Sequence, residues 1–199
     1  MPSKAIPPTG IQPLEPDALD AFLAHLRDHL AENGTDGSPF FQPAPRGASR
    51  VLDDLGAAFR TGLAVPVLEA GWRRAWVARD DAGAIVGHVD LRARREPWTN
   101  HRCLLGMGVR RAWRGGGLGA RLLAQAEAWA VDTGSLAWID LEVLEVNEPA
   151  LRLYRGAGYA QFGETPDLFR IEGACLGAVW MTKRIAKGSD AKVGPGLQA

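Results

Sequence analysis

Apolar positions change their period several times along the chain, and each change marks an element. Leu19, Phe22, Leu23, Leu26 and Leu30 recur at helical spacing. That stripe is opened by Pro16 and Asp17 and closed by Asn33 and Gly34, residues that tolerate the left-handed conformation. A second stripe, Leu52, Leu55, Phe59 and Leu63, follows Ser49, a suitable N-cap. The period then drops to two. Ala75 to Arg79 and Ala84 to Leu91 read as strands joined by a turn at Asp80 to Gly83. After a basic connection from Arg92 to Arg102, with Trp98 at its centre, Leu104 to Val109 reads as a third strand. A helix follows a glycine-rich turn and runs to about Asp132, with Leu118, Leu122, Ala126 and Trp129 inward and Gly134 as its stop. Leu136 to Val146 alternates: Ile139, Leu141 and Val143 face one way, Asp140, Glu142 and Leu144 the other. Asn147 to Arg155 predicts a short helix, and Tyr159 to Gly163 and Ala174 to Lys183 two last strands with a loop between. A short strand at Gly10 to Leu14 precedes them all.

This order predicts an α/β (α+β) domain: one mixed, mainly antiparallel twisted sheet of six to seven strands, with helices on both faces. Residues 1–10 are expected to be a flexible segment, 11–186 the single domain, and 187–199 a disordered polar tail.

Composition narrows the function classes. The chain has 199 residues, 46% of them apolar, enough for a buried core. It carries 23 basic and 23 acidic residues, so no global field draws in nucleic acid or an anionic membrane. Locally the balance fails: Arg92, Arg94, Arg95, Arg102, Arg110, Arg111 and Arg114 face a single acid, Glu96, which suggests a confined patch for one anionic ligand. Cys103 and Cys175 form no CxxC pair and read as reduced core or near-core thiols. No apolar run approaches the ~20 residues that span a bilayer, and MPSKAIPPTGIQP lacks the apolar region of a secretory signal, so a cytoplasmic protein is expected. His25 and His29 are four apart, but without a third ligand they read as solvated or flank-packed, and no metal is expected.

The stretch LLGMGVRRAWRGGGLGARLL, from Leu104 to Leu123, carries the chemistry. Gly115, Gly116, Gly117 and Gly119 leave backbone N–H groups bare where a helix begins, beside Arg110, Arg111 and Arg114; orphan donors and the positive end of the helix dipole suit a phosphate. A Walker loop is ruled out, because Leu118, Gly119 and Ala120 stand where Lys and Ser/Thr are needed. Gly115, Gly117 and Ala120 match a dinucleotide fingerprint, with Asp140 about twenty residues on. However, five residues separate Val109 from the first glycine, and too little chain follows for further parallel units.

The same residues resemble the GCN5-related N-acetyltransferases. Arg114, Gly117 and Gly119 match that family's Arg/Gln-x-x-Gly-x-Gly/Ala diphosphate motif, and Val109 stands where its preceding strand pairs with the pantetheine arm. Leu141-Glu142-Val143, Asn147, Leu153-Tyr154 and Gly158-Tyr159 resemble its downstream signature, with Tyr159 where Phe is usual. The resemblance implies the acyl-CoA N-acyltransferase fold and acetyl-CoA as co-substrate. Met107 to Val109 would hold the arm, Arg114, Gly115, Gly116, Gly117, Leu118 and Gly119 the diphosphate, with Asn147 nearby or capping its helix. Tyr154 is implied as the general acid toward the CoA sulfur. Glu142 is the candidate base, with Glu145, Asp140 or a water as alternatives, and direct attack in a ternary complex is expected.

Phe40, Phe41 and Trp98 offer aromatic surface for a cationic acceptor, joined by Asp140, although adjacent loop aromatics also plug onto cores. A small amine, an amino acid, an aminoglycoside-like drug and a protein N-terminus all fit as acceptor, and a homodimer is possible. A non-catalytic acyl-CoA sensor of the same fold is the alternative.

Overall fold

The computed structural model describes residues 10–47 and 53–185. In chain order it forms β1 (Ile11–Pro13), a 3-10 turn at Pro16–Ala18, α1 (Leu19–Ala31), α2 (Asp53–Gly62), β2 (Arg73–Arg79), β3 (Ile85–Ala93), β4 (Arg102–Val109) and α3 (Leu118–Asp132). There follow β5 (Trp138–Leu144), α4 (Glu148–Gly156), β6 (Ala160–Ile171) and β7 (Ala174–Arg184). The Ser49 cap, Leu52, the N-terminal segment through residue 9 and the tail 187–199 lie outside the described residues.

The seven strands make one sheet in the order β1-β2-β3-β4-β5-β7-β6, and β4–β5 is its single parallel pair among the described residues. A parallel pair needs a crossover, and α3 supplies it. Side-chain alternation splits the core into two layers. Trp76, Val89, Leu91, Leu105, Ile139 and Leu141 meet Leu118, Leu122 and Ala126 of α3 on one face. Ala75 and Val77 meet Phe22 and Leu26 of α1 and Phe59 of α2 on the other.

The decisive feature is how briefly β4 and β5 pair. Their register runs through Arg102↔Trp138, Cys103↔Ile139 and Leu104↔Asp140 and stops. Beyond it β4 continues on β3 to Val109, and β5 continues on β7 to Leu144. The strands therefore part toward their C-terminal ends, and the β5-facing edge of β4 past Leu104 has no strand on it.

Two expectations fail here. The last region is not a short strand, a loop and a strand, because β6 runs unbroken from Ala160 to Ile171. Pro166 reads as a breaker, yet β6 is an edge strand, where proline is tolerated, and a register shift between Thr165 and Phe169 absorbs it. Cys175 is exposed rather than near-core, whereas Cys103 is fully buried; both are free thiols.

Candidate active site

The parting of β4 and β5 opens a cleft of about 650 Å³. At one end stands the N-terminus of α3. Its N-cap, Gly117, has φ +84 and no side-chain cap, so the first-turn N–H groups of Leu118, Gly119 and Ala120 have no partner within the helix. A Cβ on Gly117 would meet nothing within 4 Å, whereas one on Gly119 would come within 3.2 Å of Leu153 and 3.6 Å of Met107. Gly119 thus lets α3, α4 and β4 close together around the wedge. Met107, Val109, Arg114, Gly115, Gly117, Gly119 and Asn147 all line the cleft. Gly116 is exposed in the turn, and Leu118 sends its side chain into the core.

The arginines beside this turn are not free phosphate ligands. Arg114 donates to Glu32 (2.5 Å), to Ser38 Oγ (2.8 Å) and to the Val109 carbonyl (2.8 Å), and its guanidinium stands over the Phe41 ring. Arg110 pairs with Asp28, and Arg111 with Asp36. Their acids come from α1 and the loop after it, so the positive patch expected from local sequence is largely neutralised by partners distant in the chain. These arginines instead clamp the α1 end of the cleft to the glycine turn.

Tyr154 lines the cleft, only 7% exposed, with its ring edge-on to Tyr159 at 5.7 Å. Burial raises the pKa of its phenol well above the usual value, so it stays protonated. Glu142 is the only carboxylate lining the cleft among the described residues, and desolvation raises its proton affinity above that of an ordinary glutamate. The two alternative bases are committed elsewhere: Glu145 accepts the Gly177 N–H at 2.8 Å, and Asp140 is buried among cations. Asn147 caps α4, accepting the Ala150 N–H at 3.4 Å, while also lining the cleft. Cys103 is wholly buried, its thiol pushed up to about 12 by desolvation first and Asp140 second, so it is no nucleophile.

The residues expected around the acceptor separate. Phe41 lines the cleft, stacked on His29 at 4.6 Å. Phe40 instead plugs its loop onto Leu144, Ile171 and Leu176. Trp98 is 93% exposed in the β3–β4 connection, and Asp140 belongs to the last paired rung of β4–β5. Both lie at the end where the strands remain joined, away from the opening. Asp140 holds Arg102 (2.5 Å), Arg94 (2.9 Å) and Thr182 (2.6 Å). Its role is to neutralise two guanidiniums under the closed end of the wedge. Asp140→Ala is therefore expected to lower unfolding free energy by about 2–3 kcal/mol, below the usual cost of breaking a fully buried pair because both arginines are partly solvated. Urea unfolding checks this, and a change under about 0.5 kcal/mol would contradict it.

Sequence reasoning missed a histidine cluster under the cleft. His25 and His29 are buried, not solvated, and His25 Nε2 lies 3.0 Å from Nδ1 of His88. His29 and His88 both press on Gly108, where a Cβ would come within 2.6 Å of His88. Desolvation, aided by Arg110 for His25 and by Arg114 for His29, lowers their pKa values to about 4 and about 3. All three rings are neutral in the fold, and in the unfolded chain they titrate near 6.5. The stability they confer is complete above about pH 6.5 and is lost as pH falls from there toward 3. The melting temperature is expected to drop steadily between pH 7 and 5, where histidine is the side chain that normally titrates. A melting temperature flat across that interval would contradict it. The i, i+4 spacing of His25 and His29 was the available signal, but His88 is 63 residues away from His25 and no local pattern points to it.

The comparisons with known proteins agree with this geometry. The model of the acetyltransferase (GNAT) family matches residues 44–159. No curated protein sequence gives a significant match. Among solved structures, the chain resembles an acetyltransferase of the GNAT family from Streptococcus pneumoniae, with 23% identity over 88% of this chain and 99% of that one, and a TM-score of 0.72. A ribosomal-protein-alanine N-acetyltransferase from Brucella melitensis is 22% identical over 88% and 99%, with a TM-score of 0.65. A protein from Salmonella typhimurium solved with its cofactor acetyl-CoA is 15% identical over 90% and 95%, with a TM-score of 0.71. With a family match over more than half its length, this chain belongs to the GNAT family of acetyltransferases.

Proposed function

We propose that this protein transfers an acetyl group from acetyl-CoA to a primary amine by direct attack in a ternary complex. The observation that carries the reading is the three-rung pairing of β4 and β5. The wedge beyond it opens onto the uncapped start of α3, Tyr154 and Glu142. These residues fit the cofactor. Orphan amides at a helix N-terminus suit a diphosphate, Gly117 leaves room above them, and the bare edge of β4 can accept an extended chain as a strand would.

Acetyl-CoA, when bound, supplies an activated thioester. The chain's own groups manage two protons. Glu142 accepts one from the acceptor ammonium, directly or through water, and desolvation suits it to the task by raising its proton affinity. Tyr154 holds its proton at Oη, available to the departing sulfur, because burial keeps the phenol un-ionised, and the second proton that the nitrogen sheds after attack restores it. Neither cysteine is needed as an acyl carrier.

Release of CoA from acetyl-CoA, followed over a panel of primary amines, tests the proposal. Turnover with at least one amine is expected, with an acid limb in the pH–rate profile that Glu142→Gln removes. The group is active when deprotonated, so rate falls as pH drops through its raised pKa. Binding of acetyl-CoA without turnover on any amine would favour a sensor instead.

A further inference from the structure

The floor of the cleft on the α1 side carries a positive charge in excess around Asp90 and a carboxylate, Glu142, with no cation paired to it among the described residues. On β3, Asp90 is the one carboxylate shared by two guanidiniums, Arg73 at 3.5 Å and Arg92 at 3.2 Å. Arg73 is the more deeply buried, its side chain 10% exposed and set against the Phe59 ring, and Asp90 is its single ion-pair partner among the described residues. Arg92 also donates a hydrogen bond to Asp90, and two guanidiniums on one carboxylate leave the cluster one positive charge in excess. The Arg92 side chain is 34% exposed and lines the cleft. Glu142 is the converse case: it lines the same cleft and has no hydrogen bond or ion pair among the described residues. The two do not pair with each other.

A Cβ on Gly106 would come within 2.6 Å of Asp90 Oδ1 and 3.0 Å of Arg92 Nη1, so the Asp90–Arg92 pair lies against the bare backbone of β4. Glu142 lies two residues past Asp140, the last β5 residue paired with β4, where the strands have parted, and it lines the same cleft as Gly106. Neighbouring strands lie about 4.8 Å apart, and the parting of β4 and β5 widens that gap. Both charges line one cleft of about 650 Å³, within the size range of small-molecule sites, together with Phe41 and Leu144.

We propose that the acceptor is a small amino acid, whose ammonium meets Glu142 and whose carboxylate meets Arg92. This rests on the acetyl-transfer reading above and names its substrate class. A simple amine brings no negative charge to balance the second guanidinium on Asp90 in a partly desolvated cleft. A polycation or a lysine-rich peptide is repelled by it. A zwitterion matches both groups at once, and the guanidinium fork suits a carboxylate.

The test compares acids with their own carboxamides. The twenty proteinogenic amino acids, β-alanine and γ-aminobutyrate are titrated calorimetrically into the full chain with and without CoA, beside the matching carboxamides and simple alkylamines. CoA release from acetyl-CoA is measured in parallel. At least one amino acid is expected to bind, with its carboxamide at least about tenfold weaker in affinity and higher in KM, the range of a charge-assisted hydrogen bond. Arg92→Gln should bring that ratio toward one, and Arg92→Lys should keep most of it. The wild-type comparison stands even if Arg92→Gln fails to fold. Carboxamides or alkylamines serving as well as the acids, or no amino acid binding at all, overturns the proposal. Absence of CoA release on every amine, with amino-acid binding intact, instead overturns the acetyl-transfer reading.

Discussion

Gly117→Glu is expected to abolish acetyl-CoA binding while leaving the fold standing. Gly117 caps α3 at φ +84, a conformation that costs a side-chain-bearing residue about 1–2 kcal/mol. A Cβ there meets nothing within 4 Å, so the substitution strains the backbone without displacing the core. The glutamate would set a negative charge over the orphan N–H groups proposed to hold a diphosphate, and its carboxylate can cap those donors itself. Affinity should fall by about a hundredfold or more, with melting only slightly lowered. Gly117→Ala carries the same backbone strain without the charge and should lose far less. Calorimetric titration of acetyl-CoA separates the two, and near-wild-type affinity in Gly117→Glu would place the diphosphate elsewhere.

Tyr154→Phe is expected to lower kcat by about a hundredfold, within the range of a lost general acid, while the dissociation constant for acetyl-CoA changes less than about threefold. The ring packs edge-on against Tyr159 and is almost wholly buried, so phenylalanine fills the same space. What is lost is the proton at Oη that burial keeps in place. A purely structural tyrosine would show the reverse pattern, with stability and affinity changed and turnover kept. Steady-state kinetics with a binding titration decides between them, and unchanged kcat removes Tyr154 from the mechanism.

The elements were legible because helices and strands advertise themselves locally. The stripes of α1 and α3, the hairpin around Asp80–Gly83 and the alternation of β5 are all short-range patterns. The full span of β6 is not legible locally: it contains Pro166, which a strand tolerates at an edge, and only the sheet order shows β6 to be one. The site divides in the same way. The glycine turn and the Leu141–Tyr154 signature are contiguous motifs and could be read directly. The partners of Arg110 and Arg111 lie 82 and 75 residues away, so the sequence showed cations without the acids that neutralise them. Trp98 and Asp140 have chemistry that suits an acceptor site. Their exclusion depends on which end of β4 and β5 comes apart, a matter of register rather than residue type. Conversely Asp90, which decides the charge state of the cleft floor, looks like an ordinary strand residue until Arg73 and Arg92 are seen to share it.

The central claim is that the first turn of α3 and the open edge of β4 receive acetyl-CoA. An amide-resolved NMR titration of the ¹⁵N-labelled protein with acetyl-CoA tests it most directly. The account predicts that the largest shifts fall on the amides of Gly116 to Ala120 and on Leu105 to Val109, saturating together with one dissociation constant. Saturable binding that leaves those amides unmoved, or no binding at millimolar acetyl-CoA, would contradict it.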